Sequence, residues 1–404
     1  MSSTAKPIYP QPVEDYPLPR SPLHQQIDSL PDLVAESIDG LIMAARSLFT
    51  ASLSKQIEDI CLFGCGDSHH AAVIAALAFQ QLAGLPCRPL TAMQFARYTV
   101  ATLPAIRPPA NLAIAISVSG RVSRTIEGLR LARQAGATAV ALTGSKRSPL
   151  AQAAELILPA VAPPFQTDPA VPVIPGARSY ILSQLALFLA AIQIGQARGH
   201  LTTVAANKIR GELAALAENM AQTIAACDPA AEQAAGEWLP ADHFVFCGAG
   251  PNYGTALFSA AKILEASGDP AVGQDMEEWA HLQYFSKQQD TPTFLISAGG
   301  YDVDRTSEIA TAARAIGRSL AIIAPNDSNL EVMNGDVHFP VTGPVRECFS
   351  PLLTSLPGLL FAAYRAALLD EPYFRNFEGG RNLSGGGGIS KIQTSHQWQK
   401  LETG

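Results

Sequence analysis

Residues 246–281 read FCGAGPNYGTALFSAAKILEASGDPAVGQDMEEWAH, and the rest of the chain is placed from this stretch. A short apolar run, Phe244 to Phe246, meets Gly248-Ala249-Gly250 and continues with Leu257, Ala260, Ala261 and Leu264 at helical spacings of three and four. The pattern predicts a strand, a glycine turn and a helix. Such a turn gathers backbone N–H groups and the positive end of a helix at one point, which suits a phosphate or an enediolate oxygen. Lys262 and Glu265 are three apart and share a helix face. A carboxylate beside an ammonium at that place is a candidate proton-transfer pair. Spacing alone favours the plainer alternative, an exposed ion pair contributing about 0.2–0.5 kcal/mol.

The same order of elements appears about 180 residues earlier. Phe63-Gly64-Cys65-Gly66 matches Phe246-Cys247-Gly248-Ala249-Gly250. The strand Leu112 to Ile116, ending in Ser117-Val118-Ser119-Gly120, matches Phe294 to Gly300. Thr138 to Leu142 matches Leu320 to Ala324, and Leu156 to Pro159 matches Val337 to Pro340. Strands alternating with helices of ten or more residues predict parallel sheets covered on both faces, with ligands at the carboxyl ends of the strands. Four matches in one order predict a duplicated α/β domain. The expected divisions are an arm over 1–20, a first domain over 21–198, a second over 199–370 and a tail over 371–404. An amphipathic helix through Leu33, Ile38, Leu41 and Ala45 covers the first core.

The halves differ where the second strand of each ends. Ser117, Ser119 and Ser123 surround Gly120, with Ser68 just after the neighbouring Gly-x-Gly turn and Arg121 adding a charge. Three hydroxyls and several N–H groups at a helix start form a phosphate cradle without the lysine of a Walker motif. The alternative is that the serines only cap the helix. The second half has Ser297-Ala298-Gly299-Gly300 instead, so anion binding is assigned to the first half and proton transfer to the second.

At 404 residues, with 48% apolar and 16% charged residues, the chain forms large cores rather than a disordered polymer. Its net charge of −7 argues against a broad nucleic-acid footprint. The first twenty residues hold five prolines and no apolar signal segment, so a cytoplasmic protein is expected. The apolar runs Tyr180 to Gly195 and Leu352 to Leu369 are short and interrupted by polar residues, and read as buried helices rather than membrane spans. Six cysteines make no C-x-x-C pair. Gly64-x-Gly66 lacks the third glycine and acidic residue of a dinucleotide fingerprint, and no His/Asp/Glu group has metal spacing, so neither a cofactor nor a metal is expected.

The Ser117–Gly120 loop, the paired Gly-x-Gly turns and the duplicated parallel domain resemble the sugar isomerase (SIS) family, over nearly the whole chain. The resemblance implies two tandem SIS-type doubly wound αβα domains. It puts Glu265 on the catalytic base between C1 and C2, Lys262 on the lysine one turn before it, and His281 on the ring-opening histidine, supplied to a partner subunit's site in a homodimer. Arg381-Asn382-Leu383 and Ser390-Lys391-Ile392 resemble the closing tail, with Lys391 covering the substrate. Val118, Arg121 and Val122 depart from the family's phosphate loop, and Gly385 to Gly388 are an insert in the tail. The implied activity is isomerisation of a phosphorylated sugar or amino sugar. The alternatives are a deaminase or deglycase on the same scaffold and a non-catalytic sugar-phosphate-binding regulator.

Overall fold

A computed structural model describes residues 20–103, 110–166 and 173–382. Two five-stranded sheets, each wholly parallel, form its two halves. The first contains β1 (Asp59–Gly64), β2 (Cys87–Thr91), β3 (Asn111–Ile116), β4 (Thr138–Thr143) and β5 (Leu156–Pro159), in the order β2-β1-β3-β4-β5. The second contains β6 (Phe244–Gly248), β7 (Ala271–Asp275), β8 (Thr293–Ile296), β9 (Leu320–Pro325) and β10 (Val337–Val341), in the order β7-β6-β8-β9-β10. Strand for strand the order is the same. Its direction reverses between β1 and β3, and again between β6 and β8, so each sheet has its topological switch point at the carboxyl ends of those two strands.

The sequence reading found eight of these strands and missed β2 and β7. Both are edge strands with largely half-exposed residues, and β2 carries Arg88 and Pro89. They therefore lack the continuous apolar run that marks a strand buried on both faces.

The helices used below are α1 (Leu30–Leu48), α2 (Asp67–Ala78), α3 (Ser123–Gln134), α4 (Arg178–Arg198), α5 (Thr203–Glu237), α6 (Pro251–Ala266), α7 (Met276–His281), α8 (Val303–Ala315) and α9 (Leu356–Leu369). One apolar core runs between the sheets and takes side chains from α1, α2, α4, α5, α6 and α9. Two smaller cores lie on the outer faces, under α3 and under α7 with α8. In the segments Arg178–Arg198 and Glu347–Leu369, 89% and 83% of the apolar window is enclosed by protein, so their hydropathy serves the shared core.

In α6 the helical period is as expected, but the buried face is not. Leu264 is 48% exposed, whereas Thr255, Ser259, Lys262 and Ile263 are enclosed. The helix packs on β6 and β7 on one side and on α2 and α9 on the other. Its enclosed surface is therefore wider than a single apolar stripe. At Gly254 a side chain would begin 2.5 Å from Ile74 Cγ1 and 3.0 Å from the His70 carbonyl oxygen. Glycine is needed there for α2 and α6 to approach this closely.

Candidate active site

At the carboxyl ends of β1 and β3 lies a crevice of about 540 Å³, lined among others by Asp67, Ser68, Ser117, Ser119, Tyr180 and Glu265. The first sheet supplies the hydroxyls and the second half supplies the carboxylate. Their meeting depends on the α2–α6 contact, because Glu265 sits at the end of α6 that faces the start of α2.

The loop after β3 is built by its own serines. Ser117 Oγ accepts from the Gly120 N–H at 3.2 Å, and Ser119 Oγ accepts from the Arg121 N–H at 3.3 Å. The residue preceding α3 is Val122, which has no side-chain acceptor, and Ser117 and Ser119 accept from N–H groups of the loop itself. Gly120 has φ of 62°, and a side chain there would start 2.1 Å from Ser148 Oγ, so the residue shapes the turn rather than lining the crevice. Ser119 is exposed toward the crevice and Ser117 is buried at its base. Arg121 points to solvent and Ser123 is buried in the first turn of α3, so neither lines the crevice. The cradle thus narrows to Ser68, Ser117 and Ser119.

Lys262 is not part of an exposed ion pair. Its side chain is 0% exposed; Nζ donates to Asp67 Oδ2 at 2.7 Å and also to Glu265 Oε2. Both carboxylates keep 27% of their side-chain surface. The ammonium also lies 4.9 Å from the centre of the Phe258 ring, which stacks at 3.6 Å on Tyr180. Enclosing a lone ammonium is prohibitive, whereas one held between two carboxylates is tolerated.

The two carboxylates are driven apart. Burial pushes the Glu265 carboxyl up to about 7; the Lys262 ammonium opposes this and the Asp67 charge adds to it. Burial also works against Asp67, but the Lys262 charge and its hydrogen bond, with His70 close by, together hold it below the ordinary carboxylate range. Burial opposes the charged form of Lys262 as well, and the two carboxylates outweigh it, keeping the ammonium charged. A carboxylate held below the ordinary range beside one that titrates near neutrality suits general acid/base chemistry. Sequence reasoning missed Asp67 as a partner of Lys262, although Gly66-Asp67-Ser68 was on view. The bond joins residues 195 apart, and no local spacing signals it.

Within one chain His281 and Arg381 do not line the crevice. His281 ends α7, is 64% exposed and pairs with Glu277 at 3.2 Å. Exposed Leu282 and Phe285 flank it. Arg381 is exposed and donates to the Glu378 carbonyl at 3.0 Å. Phe374, from the start of the tail, lines the crevice. Lys391 lies outside the described residues.

Residues 53–193 match the model of the SIS domain. The chain is 24% identical to glutamine–fructose-6-phosphate aminotransferase (isomerizing) of Pseudomonas putida, across 86% of the chain and 57% of that protein. It is 28% identical to the protein of the same name from Gloeobacter violaceus, across 85% of the chain and 55% of that protein. The chain thus spans just over half the length of these curated relatives. Among solved structures, the C-terminal domain of glucosamine-fructose-6-phosphate aminotransferase from Francisella tularensis superposes with a TM-score of 0.74 at 18% identity, covering 87% of this chain and 97% of that one. Glucosamine-6-phosphate deaminase from Thermotoga maritima gives 0.63 at 16% identity, with 86% and 94% covered. Tagatose-6-phosphate ketose/aldose isomerase from Escherichia coli gives 0.64 at 16% identity, with 87% and 94% covered. At these identities the structural likeness establishes the fold, two tandem SIS-type domains.

Proposed function

We propose that this member of the SIS domain family is a cytoplasmic phosphosugar isomerase that interconverts the aldose and ketose forms of a phosphorylated sugar or amino sugar. One observation carries the reading: the Glu265 carboxylate, held near neutral titration, shares a crevice with the Ser68, Ser117 and Ser119 hydroxyls. The serine loop binds the phosphate. Glu265 removes the proton beside the carbonyl or imine, the proton of the adjacent hydroxyl or amine passes to the former carbonyl oxygen or imine nitrogen through the enediol or enolamine, and the same carboxyl returns its proton to the neighbouring carbon. Oriented proton transfer of this kind contributes about 10²–10⁴-fold. Lys262 stays protonated and steadies the negative charge that develops as the proton leaves. The names of the relatives, which concern fructose 6-phosphate, glucosamine 6-phosphate and tagatose 6-phosphate, support a phosphosugar substrate.

In this reading the chain divides at 21–198, 199–370 and 371–404, with no nucleic acid, membrane or cofactor involved. His281 opens the sugar ring in the site of a partner subunit. Its exposure beside Leu282 and Phe285 supports a homodimer with shared sites. Arg381 and Lys391 belong to the tail that closes over the substrate. Arg121 and Ser123 are set back from the crevice and act, if at all, through the shape of the loop.

The test is incubation with hexose 6-phosphates and glucosamine 6-phosphate in deuterated water. Deuterium entering at C1 of the ketose formed and at C2 of the recovered aldose is the expected result. Saturable binding with neither exchange nor product, from the unaltered protein, makes the chain a sugar-phosphate-binding regulator instead. Release of ammonia from glucosamine 6-phosphate makes it a deaminase on the same scaffold.

A further inference from the structure

We propose that Asp67 is a positioning residue for Glu265: from the first half it takes a share of the Lys262 ammonium, leaving the base a partner that does not belong to it alone. The inference rests on the reading of Glu265 as the base. Lys262 and Glu265 meet through helix spacing alone, and a carboxylate paired one-to-one with an enclosed ammonium is a weak base, because the cation favours its charged form. A second carboxylate changes this. Lys262 Nζ donates to Asp67 Oδ2 at 2.7 Å as well as to Glu265. The ammonium is divided between two acceptors, and Asp67 adds a like charge close to Glu265.

The placement of Asp67 is built in. It occupies the first position of α2, where the helix end favours a negative charge. The close approach at Gly254 fixes α2 against α6. Its other oxygen, Oδ1, faces His70 Nδ1 at 3.7 Å. The groups around the pair come from several elements. They are Lys262 on α6, Asp67 and His70 on α2, and Tyr180 on α4, whose enclosed hydroxyl has no partner among the described residues. Arg375 with Glu371, and Arg365 with Asp269, are already paired to each other just beyond the end of α6 that carries Glu265. Among the described residues, only Asp67 supplies a negative charge that reaches Glu265 through a shared cation.

The test is the titration of Glu265, read by carbon-13 NMR of protein labelled at glutamate carboxyls and assigned by the signal missing in Glu265→Gln. In Asp67→Asn the midpoint moves down by about one pH unit, the size expected for losing a like charge. In Asp67→Glu it returns toward that of the unaltered protein. The acid limb of kcat/KM moves with the midpoint, while KM changes less than kcat. Asp67→Ser, which suits a helix start, gives the same downward shift should Asp67→Asn fold poorly. A variant with lowered Tm and an unmoved midpoint makes Asp67 a structural strut and overturns the proposal. Should the unaltered protein turn over no sugar phosphate, the isomerase reading fails while the titration still decides the role of Asp67.

Discussion

The two halves reach the switch point at the same place in the same strand order, yet different side chains stand there. Gly66 and Gly250 precede α2 and α6 with nearly the same backbone, φ 55° and ψ −130° against φ 53° and ψ −128°. In the first half the space beside the β3 loop is lined by serine hydroxyls and reaches Glu265. In the second half Glu347 stands beside Gly300. Its carboxylate accepts the Tyr301 N–H at 3.4 Å and lies where a side chain at Gly300 would begin, 2.4 Å from Oε2. Ser297 is turned inward, donating to Asp302 Oδ1 at 2.8 Å and accepting the Gly299 N–H at 3.0 Å. Burial raises the carboxyls of both Asp302 and Glu347. Two carboxylates oppose any anionic ligand there. Topology therefore decides where a site can be, and a few side chains make the two copies chemically different.

The largest expected effect concerns the residue that the second half lends to the first. Glu265→Gln lowers kcat by about 10²–10⁴-fold with ligand binding retained, measured by turnover and by calorimetry with a sugar phosphate. Retained activity removes Glu265 from the mechanism. Next come the paired serines. Ser119→Ala weakens phosphate binding by about 10–100-fold, as for loss of a hydrogen bond to a charged group, whereas Ser297→Ala leaves KM unchanged and lowers Tm. Equal effects on KM would break the distinction between the halves.

Stability has its own pH signature. The folded pKa of Glu265, about 7, lies above its ordinary 4.5. The stability that Glu265 contributes is therefore fully present below pH 4.5 and is lost as pH rises through about 7. Glu265→Gln lacks this loss, so its Tm rises relative to that of the unaltered protein between those two pH values; parallel curves would contradict the raised pKa. Gly254→Ala forces α2 from α6 and destabilises by about 1–3 kcal/mol in urea unfolding. The smallest effect is Glu347→Gln, expected to change stability by less than about 1 kcal/mol and kcat not at all.

Eight of ten strands, the duplicated order, the serine loop and the Lys262–Glu265 pair were legible because each is local. Strands buried on both faces show continuous apolar runs, turns show their glycines, and helix neighbours three apart share a face. The edge strands β2 and β7 were hidden because partial exposure removes that run. The buried face of α6 was hidden because two layers enclose it.

By itself, the sequence determined two parallel-sheet domains and a serine loop at the end of a strand, since hydrophobic period and turn chemistry act over a few residues. Only the tertiary structure decided that α2 and α6 meet at Gly254, that Lys262 is enclosed between Asp67 and Glu265, and that Glu347 stands beside Gly300 in the second half. Those outcomes depend on desolvation and on contacts between residues far apart in the chain, which no local spacing encodes.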